Sequence, residues 1–179
     1  MGKQITSTIV GTIFLIGVFL VFMNYNQLIA MFSNNSGFDP SNVTYTIEGQ
    51  SITLVDGVAE ILVAPDSSAK LVTKVFGSPT MRDLNGDGKT DAVVTLTQNA
   101  GGSGTFYYVA AAINTESGAQ GTNAIFLGDR ISPQSIQILG SQIVVNYLDR
   151  DSGEAMTVKP SVGVSKYVVL DGLTLSEVQ

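Results

Sequence analysis

From Val43 onward apolar and polar residues alternate with a period of two and turn residues recur every few positions, which constrains this stretch to an antiparallel strand-rich fold. The expected strands cover 44–47, 51–55, 58–63, 70–76, 92–97, 105–109, 124–127, 135–139, 143–148 and 166–170, with a short edge strand at 155–158. Asp56-Gly57 lies between two of them, and Asp-Gly between apolar alternations is the signal of a type I′ hairpin. Gly140-Ser141 is expected to turn the chain between 135–139 and 143–148. No long amphipathic helix competes for the region. The expected fold class is mainly β, an antiparallel two-layer sandwich or partly open barrel over residues 43–179.

Within this domain Asp83-Leu84-Asn85-Gly86-Asp87-Gly88-Lys89-Thr90-Asp91 asks for a particular chemistry. It places side-chain oxygens at positions 1, 3, 5 and 9 and the Lys89 carbonyl at position 7, the pattern by which a short loop gathers oxygens around Ca2+. Gly88 holds the sixth position, where the sharp turn favours a residue without Cβ. Position 12, which carries a bidentate Glu in a helical EF-hand, is Val94 in the apolar run Ala92-Val93-Val94-Thr95-Leu96-Thr97, so the loop should lead into a strand. The expected ligands are Asp83, Asn85, Asp87, Lys89 through its carbonyl, and Asp91, around an ion that pins strand register. Without an ion, the same residue types make an ordinary surface turn.

At these residues the chain resembles the calcium loops of FG-GAP and VCBS repeats, where a D-x-N-G-D-G-x-x-D run also precedes an apolar strand. The resemblance implies the same five ligands. It covers a single copy, whereas a propeller needs the motif at a fixed period. A broader series runs through Gly101-Gly102-Ser103-Gly104-Thr105-Phe106-Tyr107-Tyr108 and Phe126-Leu127-Gly128-Asp129-Arg130 to Asn146-Tyr147-Leu148-Asp149-Arg150. It is similar to a domain of bacterial exported proteins and lipoproteins, which implies a location and no activity.

Residues 5–23 read as an apolar helix of roughly 28 Å, matching the hydrocarbon core of a bilayer. Lys3 precedes it and the next basic residue is Lys70, so the N-terminus is expected in the cytoplasm and the bulk outside. No Ala-x-Ala site follows, which favours an uncleaved single-pass anchor over a signal peptide. The expected organisation is an anchor at 1–32, a polar linker at 33–42 holding the domain off the membrane, and the extracytoplasmic β domain at 43–179. An alternative is a pilus-like filament or surface-layer subunit assembled through the apolar helix, although the early Glu usual in type IV pilins does not occur before Glu48.

The 179 residues carry nine Lys+Arg against fifteen Asp+Glu, a net charge of −6, with no basic cluster, which argues against nucleic-acid binding. Cys and His are absent, which removes disulfides, thiolate metal sites, an acylated cysteine and the commonest general base. Asn99-Ala100-Gly101-Gly102-Ser103-Gly104 lacks the Lys-Ser/Thr of a P-loop and runs into a strand, so it reads as an inter-strand loop. Phe106 and Tyr108 alternate with Tyr107 and Val109. One pair should enter the core and the other face a second surface, where an envelope glycan or protein could bind. Asp129-Arg130 and Asp149-Arg150-Asp151 are the remaining charged constellation. Asp129 and Asp149 are the carboxylates an envelope hydrolase would use, but Asp-Arg pairs fastening loops is the preferred reading, and no enzyme activity is expected.

Overall fold

The computed structural model describes residues 38–64, 68–140 and 142–178. The expected membrane segment at 5–23 lies outside them, and among the described residues no helix is long and apolar enough to cross a membrane. The described chain is mainly β, with a sheet curled into half a barrel. Its strands are β1 (Thr44–Ile47), β2 (Gln50–Thr53), β3 (Val58–Leu62), β4 (Lys70–Arg82), β5 (Asp91–Asn99), β6 (Phe106–Thr115), β7 (Gly118–Gly121), β8 (Ile125–Asp129), β9 (Ser132–Leu139), β10 (Gln142–Asp149), β11 (Val162–Asp171) and β12 (Thr174–Val178).

These strands form a two-stranded β1-β2 sheet, a four-stranded sheet in the order β12-β11-β10-β9, and a sheet in the order β3-β4-β5-β6-β7 in which β8 also pairs with β6. All named pairs are antiparallel. The runs AVVTL of β5 and YVAAAI of β6 are buried nearly without a break, because both faces of these strands are covered. Ala92, Val94 and Leu96 with Tyr108, Ala110 and Ala112 pack against Val43, Tyr45, Ile47, Ile52 and Leu54 of the hairpin and its flanks. Val93, Val109, Ala111 and Ile113 pack on the opposite side against Ile143, Val145, Tyr147, Val168 and Leu175 of the four-stranded sheet. A two-layer sandwich describes only the second of these cores. Each fully buried Val, Leu or Ile contributes about 1.5–3 kcal/mol relative to exposure, so these alternating sets fix which way β5 and β6 face.

The β1–β2 connection is the two-residue turn Glu48-Gly49, at φ 50° and 80°, between the paired Ile47 and Gln50. Positive φ at both positions is the type I′ geometry. Glu lacks the short side chain that lets Asn and Asp adopt it readily, so Glu48 sits there at a cost of about 1 kcal/mol. Asp56-Gly57 takes the same geometry, with φ 50° and 78°, as its sequence predicts. The hairpin around it is only one pair long, Val55 with Val58, because Val58 then pairs with Lys74 of β4 and Gly57 is held by Ser41 and Val75.

Other expectations shift at non-local contacts. β4 runs past Phe76 to Arg82 by absorbing Gly77-Ser78-Pro79 in a bulge, where the missing Pro N–H leaves no ladder bond unmade. Residues 155–158 are no strand. Both edges of β10 are taken by β9 and β11, and Val158 N instead donates to Ala155 O at 2.9 Å in a turn.

The partners of β6 change partway along it. β8 pairs with residues 106–109 and β7 with 112–115, and Thr122 fills the interval. Ala111 N donates to Thr122 Oγ1 and Thr122 N to Ala111 O, both at 2.9 Å, while Thr46 N donates to Thr122 O at 3.1 Å. The next residue, Asn123, spends both ends of its amide on the backbone of Leu175, at 2.9 and 2.7 Å. Two consecutive residues thus fasten the hairpin, the middle sheet and β12. Thr122 is 1% exposed, so Thr122→Val should leave the Ala111 N–H buried without an acceptor and lower stability by about 1–3 kcal/mol. Thr122→Ser, which keeps the hydroxyl, should lose less; urea unfolding of both variants checks the difference.

Candidate functional site

The loop at Asp83–Asp91 joins β4 to β5 and is wound by its own side chains. Asp83 accepts from Gly86 N at 2.7 Å and Gly88 N at 2.9 Å, Asn85 Oδ1 from Asp87 N at 3.0 Å, and Asp87 Oδ1 from Lys89 N at 2.8 Å. Gly86 and Gly88, at φ 78° and 83°, supply the left-handed steps that let the backbone curl. The amides of Gly88 and Gly86 hold the Asp83 carboxyl below its ordinary range. The loop thus exposes carboxylate and amide oxygens, the donor type that hard cations take.

Asp91 differs from the rest. It is fully buried, and its two oxygens accept from Leu84 N and Asn114 N, both at 2.8 Å. It therefore ties the loop and β6 to the start of β5. Among the described residues no group of three or more acidic, His or Cys side chains is gathered closely enough to hold a metal. The structure thus brings Asp83, Asn85 and Asp87 into one exposed coil beside Lys89 and places Asp91 beneath it as an anchor.

The Asp-Arg constellation closes the junctions around β8. Asp129 accepts from Arg130 Nε and Nη2, the latter at 2.8 Å, and from Thr105 N at 2.9 Å. Arg150 donates through Nη1 to the carbonyls of Asp129 and Arg130 and through Nε to that of Val158. Asp149 accepts from Arg150 N at 2.7 Å, and its other oxygen lies beside Gly128. Of the two carboxylates considered for hydrolysis, Asp129 is committed to a forked ion pair with Arg130.

A groove with no signature in the sequence opens at the Glu48-Gly49 turn, between it and residues of β4, β5 and β6. It encloses about 630 Å³, and Leu71, Gln98, Phe106 and Tyr108 contribute to its lining. Phe106 and Phe126 are 39% and 46% exposed, and Phe126 packs against Tyr108 with centroids 5.4 Å apart. Tyr108 OH donates to Glu48 Oε1 at 2.9 Å. Burial, reinforced by that carboxylate, raises the Tyr108 phenol well above its ordinary range and keeps it a donor. The alternation at 105–109 puts Phe106 and Tyr108, which both line the groove, on one face, opposite Tyr107 and Val109. The strands expected at 44–47 and 51–55 leave Glu48-Gly49-Gln50 as their connection, and the two-residue type I′ turn is not signalled because Glu is not a residue such turns select.

Arg130 foremost, with the Thr105 amide, lowers the Asp129 carboxyl below its ordinary 3.8. A depressed folded value contributes stability that is present above the unfolded value and is lost as pH falls through the folded one. Asp129→Asn should consequently flatten the fall in melting temperature below about pH 4 relative to wild type, as thermal melts across that range would register. No protein-family model, curated protein or solved structure matches the chain.

Proposed function

We propose that the chain is a membrane-anchored, extracytoplasmic calcium-binding β domain, a sandwich or partly open barrel carried behind an N-terminal transmembrane helix. It acts as an interaction module of the bacterial envelope and not as an enzyme. The observation that carries the reading is the winding of the loop at Asp83–Asp91, in which the Asp83 carboxylate gathers the Gly86 and Gly88 amides. Asp83, Asn85, Asp87 and the Lys89 carbonyl would hold the ion, and Asp91 would complete or support the set from below. Bound Ca2+ would neutralise the Asp83 and Asp87 carboxylates and stiffen the entry to β5, the strand buried on both faces. The apolar run at 5–23, preceded by Lys3, supports the anchor and its orientation.

Calorimetric titration of the full chain in mild detergent with Ca2+ tests the metal. Wild type should show one-site binding and a raised melting temperature, and Asp87→Ala should lose both while keeping its fold. Asp91→Ala should instead lose about 2–4 kcal/mol with or without calcium, because it strands two backbone N–H groups in a buried place. Absence of heat and of any melting shift in wild type would leave the loop as an ordinary turn.

A further inference from the structure

We propose that the groove at the Glu48-Gly49 turn docks an extended peptide of a protein partner by capturing a lysine or arginine side chain. The cationic head meets Glu48 and the alkyl stem lies on Phe106 and Tyr108. This deepens the interaction-module reading and rests on it only for the premise that the domain has a partner; neither calcium nor the membrane segment enters the argument.

Charge complementarity selects the occupant. Among the described residues Glu48 is the one charged member of the lining. Its Oε1 takes the Tyr108 hydroxyl, leaving Oε2 for a ligand, and among the described residues no Lys or Arg pairs with it. Gln98 gives one amide N–H to Thr73 Oγ1 at 3.1 Å, and its side-chain oxygen adds an acceptor to the lining. A carboxylate at the edge of an aromatic lining calls for a donor-rich cation with an apolar stem, since the carboxylate takes the charge and ring faces attract ammonium and guanidinium groups. The net charge of −6 adds a field of the same sign.

Size and rim chemistry favour a peptide over a free amine. The volume of about 630 Å³ lies in the range that encloses several groups rather than one alkylammonium stem. Gln50 at the rim has an amide that can pair with a peptide backbone. The left-handed conformation of Glu48 is the local cost of a carboxylate on an arm long enough to meet the Tyr108 hydroxyl, since the shorter Asn or Asp would adopt the same backbone more readily.

The test is an NMR titration of the full chain with acetyl-Ala-Lys-Ala-amide, with its Nε-acetylated form and with butylammonium, each with and without calcium. The lysine peptide should shift Phe106 and Tyr108 resonances saturably. The acetylated form should fail to do so, and butylammonium should bind more weakly. Glu48→Gln, which keeps the shape, should weaken the lysine peptide by about fivefold or more. Gln50→Lys, which puts a competing cation at the rim, should also weaken it. Equal binding of charged and acetylated peptides, no loss in Glu48→Gln, no shift of the aromatic resonances, or butylammonium binding as tightly as the peptide would each overturn the proposal. Because peptide binding is read apart from the calcium heat, either can fail without the other.

Discussion

Thr122 and Asn123 hold together elements that the chain's hydrophobic pattern brings near one another without aligning. Apolar burial has no direction, so two cores on opposite faces of one sheet leave the flanking layers free to slide. Backbone-directed hydrogen bonds remove that freedom. Thr122 links β6 to β1, and the Asn123 amide pairs with Leu175 as a peptide group would. With these contacts in place the hairpin and the four-stranded sheet have a defined register against the middle one. The three consecutive alanines of β6 suit this arrangement, because small side chains on both faces allow the layers to approach closely.

What was legible in the sequence was mostly local. Period-two alternation marked most strands, and Asp56-Gly57 and Gly140 sit in turns with positive φ, where their side chains or lack of one make that backbone accessible. What escaped notice depends on distant partners. Gly118–Gly121 has little strand propensity and is a strand only because β6 offers it an edge, while residues 155–158 close a turn on themselves, with the Val158 carbonyl held by Arg150. The continuous burial of β5 and β6 reads from sequence as a short apolar run, which does not say what lies on each side.

The same division runs through the candidate sites. The loop at Asp83–Asp91 announces itself because its oxygens are close in sequence, yet spacing alone does not separate Asp91, buried under two amides, from the exposed Asp83, Asn85 and Asp87. The groove is assembled from the β1–β2 turn, β4, β5 and β6, so its carboxylate and rings are scattered along the chain. The Asp129 and Asp149 cluster lies between these extremes: the dipeptides are visible, and their use of Arg130 and Arg150 against carbonyls and carboxylates emerges only in three dimensions.

The shared partner side of β6 bears on how the protein behaves at high local concentration. A long unpaired strand edge is a template on which a second chain can add, and crowding at a membrane surface would make such addition easier. Here that side is divided between a four-residue and a five-residue strand with Thr122 between them, so no long straight ladder is presented. The interruption that joins the layers thus also blunts that edge of the middle sheet.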